Sequence, residues 1–219
     1  LDWRQTLRYS FLILAVALLV ISPWTMRNAL QFKRLILVTD NTGFNLWLGN
    51  NPAATGGLYT AEGRHISSTV SEELKAELTA APDSPSRDHV FRRAAMIYIL
   101  SRPGRFFELI PARLKALWWF DPYMPSGFGR FRVLVYLALL GPALLGAILS
   151  WRRIQDLCLF HLMALIITGL YAVFFGQPRF RFVIEWCLLL FGAFALAAIV
   201  QAAAVRFRAA STGETGNRT

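Results

Sequence analysis

Four long apolar runs, distributed unevenly along the chain, are the feature that most limits what this sequence can fold into. The runs cover residues 9–24, 133–150, 157–175 and 183–205, and about a hundred mostly polar residues separate the first run from the second. Each run is close to the ~20 residues that a helix needs to cross a ~30 Å hydrocarbon core. None has a charged residue in its central stretch. Because a backbone in lipid must satisfy its own hydrogen bonds, the four runs predict membrane-spanning helices.

The runs and their flanks predict an all-α integral membrane protein with about four transmembrane helices and a large, mostly helical external domain. Arginines flank the predicted inner ends of the spans, at Arg4, Arg8, Arg152, Arg153, Arg206 and Arg208. With both termini inside, these clusters follow the positive-inside rule. Residues 1–8 are then a cytoplasmic flank, residues 25–132 the external domain, and residues 206–219 a disordered cytoplasmic tail.

The start of the chain predicts a retained span. The first run ends without the small-x-small pattern of a signal-peptide cleavage site, so we expect it to stay in the protein. The sequence begins with Leu1 rather than methionine. We therefore expect the chain to be part of a longer protein.

Composition limits the classes of partner. Apolar residues make up 55% of the chain, charged residues only 16%, and the net charge is +10. A basic surface next to membrane spans favours anionic lipid head groups as partners. No known nucleic-acid-binding pattern is present, so we expect no nucleic acid partner. His65, His89 and His161 stand apart in the sequence, and we expect neither a metal nor a cofactor.

The first part of the external domain predicts one strand and two helices. Residues 44–48 form a short apolar, β-prone run between turn-forming residues. Thr69 and Glu72 have the spacing of a capping box and predict a helix to about residue 80. Ser84, followed by Pro85, predicts the N-terminus of a second helix that ends near residue 100.

The third predicted helix, residues 105–120, is basic and amphipathic. Pro103 and Gly104 precede it, and Pro111 is expected to interrupt it. It carries Arg113 and Lys115 among apolar side chains and ends in two tryptophans and a phenylalanine. This pattern predicts a helix that lies in the membrane interface. The alternative is a helix that packs on the external domain itself.

Three strings of residues, in one order along the chain, resemble a known enzyme family. They are PWTMRN at residues 23–28, NTGFNLWLGNNP at residues 41–52 and QPRFRF at residues 177–182, with the basic helix between the second and third. Together they resemble the C-terminal part of bacterial GT-C glycosyltransferases. The most similar branch contains the protein mannosyltransferases and the lipid A aminoarabinose and galacturonosyl transferases.

The resemblance implies a reaction and a place for it. Such enzymes transfer a sugar from a polyprenyl-phosphate donor to a lipid, glycan or protein acceptor at the outer face of the inner membrane. The catalytic carboxylate of the family lies in the first external loop of the whole enzyme, which the resemblance places upstream of Leu1. We therefore assign no catalytic residue to this chain and expect it to be inactive alone.

Donor binding is the task that the resemblance leaves to this chain. Transfer from a lipid phosphate needs positive charge on the leaving phosphate, and arginine is suited to it because it is always charged and bidentate. The candidate substrate-binding residues are Arg179, Arg181, Arg113, Lys115, Asn45 and Asn50. The alternative is that the cations only snorkel to head groups and the asparagines only form turns. Glu185 is expected to pair with Arg181 four residues earlier.

Two other classes of protein remain as alternatives to an enzyme. One is a non-enzymatic membrane subunit or sensor that displays an external domain. The other is a transporter, which should have polar or broken helices near the middle of the membrane. The central stretches of these runs are almost entirely apolar, which argues against a transporter.

Overall fold

The chain folds into α-helices. The computed structural model describes residues 2–124, 130–151 and 154–215, without the side chains of residues 130–133, 154–156 and 208–215. The described helices are α1 (Trp3–Phe32), α2 (Thr42–Gly49), α3 (Glu72–Ala80), α4 (Ser84–Ser101), α5 (Pro103–Trp118), α6 (Arg130–Ser150), α7 (Ile154–Val173) and α8 (Phe182–Thr215). Helix accounts for 78% of the structure, and the described ranges contain no β-strand. The all-α prediction is therefore confirmed for the described residues.

Two stretches are long and apolar enough to cross a membrane by length and composition. They are Trp3–Phe32, which is α1, and Pro178–Phe207, which covers most of α8. The apolar parts of α6 and α7, Leu134–Ser150 and Leu157–Val173, are shorter. Membrane association is thus supported by two helices, and the four crossings stay a prediction. The arginines at 152 and 153, on which the predicted orientation partly depends, lie outside the described residues.

Helix α1 continues eight residues beyond its predicted end at residue 24. Pro23 lies inside it without ending it. A proline removes the hydrogen bond to the carbonyl four residues earlier, here that of Leu19. The hydroxyl of Ser22 donates to this carbonyl at 2.7 Å, which compensates for the loss. The helix ends at Phe32, and Lys33 follows in the left-handed conformation with φ 55°. The helix therefore extends eight residues into the predicted external domain, whose start at residue 25 stays a prediction.

The predicted strand at residues 44–48 is wrong, because this run forms helix α2. Phe44, Trp47 and Leu48 are spaced i, i+3 and i+4, which places them on one helical face. The rings of Phe44 and Trp47 contact Phe91 of α4, with centroids 5.0 and 5.2 Å apart. Trp47 and Leu48 of this face, together with Phe175, which follows α7, belong to the larger buried cluster of the described residues, and Phe44 packs against it.

The caps of α3 and α4 differ by one or two residues from the predictions. Ser71, not Thr69, caps α3, and its hydroxyl accepts from the Leu74 N–H at 3.3 Å. Thr69 belongs instead to a short 3-10 turn, Ile66–Thr69. Asp83, not Ser84, caps α4 by accepting from the Ser86 N–H at 2.8 Å. Hydrogen bonds from Ser86 hold the pKa of Asp83 below its usual value.

Helix α5 is continuous through Pro111, so the predicted interruption is wrong. It buries a face that includes Leu109, Ala116 and Leu117, and this helix contacts α7. The inner face of α5 therefore packs on the protein itself, as the alternative to an interfacial helix predicts. Its outer face keeps Phe107 exposed, and a position at the membrane interface stays a prediction for that face.

Helices α6 and α8 cross closely. Gly146 of α6 meets the Phe191 carbonyl of α8 so tightly that a Cβ would lie 1.7 Å from its oxygen. A small buried cluster of Ala143, Cys187, Leu188 and Phe191 surrounds this crossing. Helix α8 then continues to Thr215, so the predicted disordered tail is wrong for residues 206–215. Alanine and arginine are strong helix formers, which explains the extension. The last four residues of the predicted tail lie outside the described residues.

Candidate functional site

The C-terminal ends of α2 and α7 meet, and this junction positions the candidate site. Gly49, the last residue of α2, lies against the Phe174 carbonyl, where a Cβ would come within 1.7 Å of the oxygen. Glycine is therefore required for the approach. The last carbonyls of both helices have no partner within their own helix, so they need donors from elsewhere.

Arg113 of α5 supplies those donors. Its guanidinium donates to the Ala172 carbonyl at 2.8 Å, to the Gly49 carbonyl at 2.9 Å and to the Asn50 Oδ1 at 2.8 Å. The side chain is 0% exposed. The positive charge thus lies at the negative ends of two helix dipoles. Burial, with a smaller contribution from Arg105, lowers the pKa of Arg113 to about 10, so the group stays protonated at neutral pH.

Asn50 and Asn51 complete the junction. The Asn50 amide donates to the Leu46 carbonyl at 2.9 Å and to the Val173 carbonyl at 3.0 Å, while its oxygen accepts from Arg113. Asn51 donates to the Trp47 carbonyl at 2.7 Å and accepts from the Ala53 N–H at 2.9 Å. Both side chains are buried and fully hydrogen-bonded, so they hold the backbone and leave no group for a ligand.

A second set of contacts fixes the loop after α2 to the end of α7. The Gly176 N–H donates to the Gly56 carbonyl at 2.8 Å. Gly56 adopts φ 99°, a conformation that favours glycine, and lies against Ala112 of α5. Asp121 is buried and accepts from the N–H groups of Leu58 and Tyr123, both at 3.0 Å. Its role is to order this loop.

Arg181 is also buried, in the turn before α8. It donates to the carbonyls of Trp118 at 3.0 Å and Trp119 at 3.3 Å, which are the last carbonyls of α5. Its guanidinium carbon lies 3.9 Å from the centroid of the Tyr136 ring. Within the described ranges no ion pair joins Arg181 to Glu185, so the predicted pairing is wrong. The carbonyls at the end of α5 compete more effectively for this side chain.

Arg179, two residues earlier, has a different environment. It is exposed, and it forms no ion pair or side-chain hydrogen bond with the part of the chain that the structure describes. Its guanidinium carbon lies 5.2 Å from the centroid of the Phe180 ring. The charge is therefore available to a ligand that reaches Phe180.

Phe180 also lines an aromatic cavity of about 340 Å³. Phe180 stacks on Tyr171 of α7, with centroids 4.3 Å apart and planes at 8°. The lining residues are Thr42, Asn45, Leu170, Tyr171, Phe174, Phe175 and Phe180. Asn45 is half-buried, and its side-chain amide has no hydrogen-bond partner among the described residues, although its backbone N–H donates to the Asn41 carbonyl. The cavity is thus mostly apolar and aromatic, and it contains the free side-chain amide of Asn45. Arg179 does not line the cavity, but its guanidinium is next to the lining ring of Phe180.

The structure therefore separates the six predicted site residues into four places. Asn45 and Arg179 are at the aromatic cavity. Arg113 and Asn50 bind each other inside the protein, and Arg181 is buried at the end of α5. Lys115 is exposed in the last turn of α5, away from the buried face that holds Arg113.

Sequence reasoning missed the aromatic residues of the cavity. Phe180 stands in the QPRFRF string, which could have indicated it. Tyr171 lies inside an apolar run, where nothing in the pattern distinguishes it from a core residue. The described residues contain no group of three His, Cys, Asp or Glu side chains that could hold a metal ion.

Comparison of the chain with protein families, with curated proteins and with solved structures gives no match.

Proposed function

We propose that the chain is the donor-binding part of a membrane glycosyltransferase that takes a sugar from a polyprenyl-phosphate carrier. The acceptor is a lipid, glycan or protein at the outer face of the bacterial inner membrane. The observation that carries the proposal is the unpaired guanidinium of Arg179 next to Phe180, a ring that lines a mostly apolar, aromatic cavity. The resemblance of the three strings to GT-C enzymes supports the same reading.

The chemistry of the donor fits the parts of this cavity. An isoprenoid chain is apolar and suits a lining of Leu170, Phe174 and Phe175. The phosphate is anionic and suits Arg179. The amide of Asn45 can donate to and accept from a sugar hydroxyl or a phosphate oxygen.

The same cavity supplies no general base. None of its lining residues is an aspartate or a glutamate. Sugar transfer to a hydroxyl needs such a base. We therefore propose that these residues bind donor, and that this chain alone turns no sugar over.

The first test measures binding of two probes, farnesyl phosphate and farnesol, to the purified chain in nanodiscs. We expect Phe180→Ala to weaken both probes about tenfold, since a ring of this size contributes ~1.5–3 kcal/mol when buried. The matched control is Phe107→Ala, which removes an exposed ring on the outer face of α5. Equal loss in both variants, or no loss in either, would remove the cavity from the proposal. If the chain binds the donor and also transfers sugar, the proposal that it supplies no general base is wrong.

The proposed orientation gives a second prediction. The external domain should face outward and the α6–α7 turn inward, since short arginine-rich flanks stay in the cytoplasm. In a Cys158→Ala background, a cysteine replaces Glu62 or Trp151, both of which are exposed. A membrane-impermeant thiol reagent should label position 62 in intact cells, and position 151 only after permeabilisation. Labelling of position 151 without position 62 would reverse the orientation.

A further inference from the structure

The segment after α1 turns back along the outer end of that helix. Lys33 reverses the chain in its left-handed conformation. Three side chains of α1, Trp24, Thr25 and Asn28, then donate hydrogen bonds to the returning backbone, and all three belong to the PWTMRN string. We call residues 33–38 the return segment.

Each of three successive carbonyls in the return segment accepts a side-chain hydrogen bond. Asn28 donates to the Ile36 carbonyl at 3.2 Å. Thr25 donates to the Leu37 carbonyl at 2.7 Å. The Trp24 Nε1 donates to the Val38 carbonyl at 2.6 Å. Asn28 is the one buried residue of α1, and the return segment accounts for its burial.

The outward side of the last four residues of this segment, 35–38, is apolar. Leu35 is 79% exposed, and Leu37 and Val38 are each 53% exposed. Met26 and Leu30 of α1 extend this surface at 65% and 61%. The apolar window of α1 is itself unburied in the structure, so the patch is continuous with the surface of a candidate span.

Internally satisfied carbonyls beneath exposed apolar side chains are an arrangement suited to lipid. In water, exposed carbonyls of a non-helical segment bind solvent and need no protein donor. Near hydrocarbon that solvent is absent, and each unpaired group costs several kcal/mol. The PWTMRN side chains provide the donors that a bilayer cannot.

The length of α1 and the free N–H groups of the return segment indicate how deep the segment lies in the bilayer. A 30-residue helix is ~45 Å long, whereas the hydrocarbon core is ~30 Å thick, so one or both ends of α1 reach the head-group layer. The N–H groups of residues 34–38 donate no hydrogen bond to the described residues, and ester or phosphate oxygens can accept from them. Trp24 also belongs to the residue type that is enriched at this level.

Two cations next to the patch select the head group, whereas a third exposed cation, Arg34, interacts electrostatically with Asp83. Arg27 and Lys33 are exposed, and neither forms an ion pair within the described ranges. The Arg27 guanidinium lies 4.9 Å from the Trp24 ring centroid, at the edge of the patch. Charge complementarity therefore favours an anionic lipid.

We infer that the return segment is seated in the interfacial layer of the bilayer, with Leu35, Leu37 and Val38 among the upper acyl carbons and an anionic head group at Arg27 and Lys33. This inference does not depend on the proposed glycosyltransferase activity. It assigns the PWTMRN string to membrane seating.

The test uses an environment-sensitive fluorophore at position 37. Leu37→Cys is made in the full chain with Cys158→Ala and Cys187→Ala, labelled with NBD and placed in nanodiscs. We expect blue-shifted emission that is quenched by lipids brominated at shallow acyl carbons. The matched control is Glu62→Cys, an exposed site of the external part, where we expect neither effect. Emission at position 37 that equals the control would overturn the inference. Blue-shifted emission without quenching by bromolipid would also overturn it, because protein rather than lipid would then cover the patch.

A second arm tests the head group. In the double variant Arg27→Gln, Lys33→Gln, the ratio of retained phosphatidylglycerol to retained phosphatidylcholine should fall about fivefold for each charge removed. Native mass spectrometry of protein released from mixed nanodiscs measures the retained lipids. The control Arg64→Gln removes an exposed charge of the external part and should change nothing. Unchanged retention in the double variant would contradict the anionic site.

Discussion

Replacing Arg113 by methionine should destabilise the protein by about 2–5 kcal/mol. Two backbone carbonyls and the Asn50 Oδ1 would lose their donor inside the protein, and each unsatisfied group costs ~1–3 kcal/mol. Removal of the buried charge relieves a desolvation cost and offsets part of that loss. For a chain of this size the change corresponds to a fall in melting temperature of roughly 4–20 °C. Thermal unfolding of the purified chain in one detergent measures it.

Lys115→Met is the matched control for this experiment. It removes a positive charge from the same helix two residues later, but its side chain is exposed. We expect a change within about 0.5 kcal/mol. Arg113→Lys should fall between the two, because an ammonium keeps the charge but cannot reach three acceptors through a planar fork. Equal melting temperatures for the Arg113→Met and Lys115→Met variants would show that the junction of α2 and α7 does not depend on the guanidinium.

Replacing Arg179 by alanine should weaken donor binding by tenfold or more. A charge-assisted hydrogen bond to phosphate contributes ~1.5–3 kcal/mol, and this exposed side chain lies next to the Phe180 ring that lines the aromatic cavity. The loss should appear with farnesyl phosphate and be absent with farnesol, because only the phosphate contacts the cation. This pattern separates Arg179 from Phe180, whose removal should affect both probes. Probe titrations in nanodiscs measure both variants.

Arg206→Ala is the control for general attraction of the lipid to a basic protein. It removes an exposed cation near the C-terminal end of the apolar stretch Pro178–Phe207, whereas Arg179 lies near the N-terminal end of this stretch. We expect its effect to be several-fold smaller than that of Arg179→Ala. Arg179→Lys should recover part of the affinity, since it restores the charge without the bidentate geometry. Equal effects of Arg179→Ala and Arg206→Ala would reduce Arg179 to a head-group anchor.

The position of Arg179 illustrates what could be predicted before the fold was known. A cation in a short turn at the predicted outer side departs from the positive-inside rule, and this departure is visible in the sequence. The structure leaves that side chain exposed and unpaired among the described residues, as donor binding requires. The stacked rings of Tyr171 and Phe180, which are near Arg179, are brought together only by the turn between α7 and α8.

Arg113 and Arg181 show why residue type alone was insufficient. Both were predicted to bind phosphate because arginine suits an anion, but arginine suits a helix C-terminus equally well. Arg113 reaches carbonyls that lie 59 and 64 positions away in the chain. Sequence spacing carries no information on such distances, so the choice between phosphate and carbonyl was made by helix packing.

The sequence by itself determined the long apolar helices, because run length and hydrophobic composition are local properties that a backbone in lipid converts directly into helix. It could not decide between strand and helix at residues 44–48, where the four apolar residues and Asn45 fit both periods and the contact with Phe91 settled the matter. Nor could it show that Trp24, Thr25 and Asn28 hold the return segment. Only the tertiary structure decided which polar groups stay free for a ligand, because buried carbonyls take whichever donors the packing brings within hydrogen-bond distance.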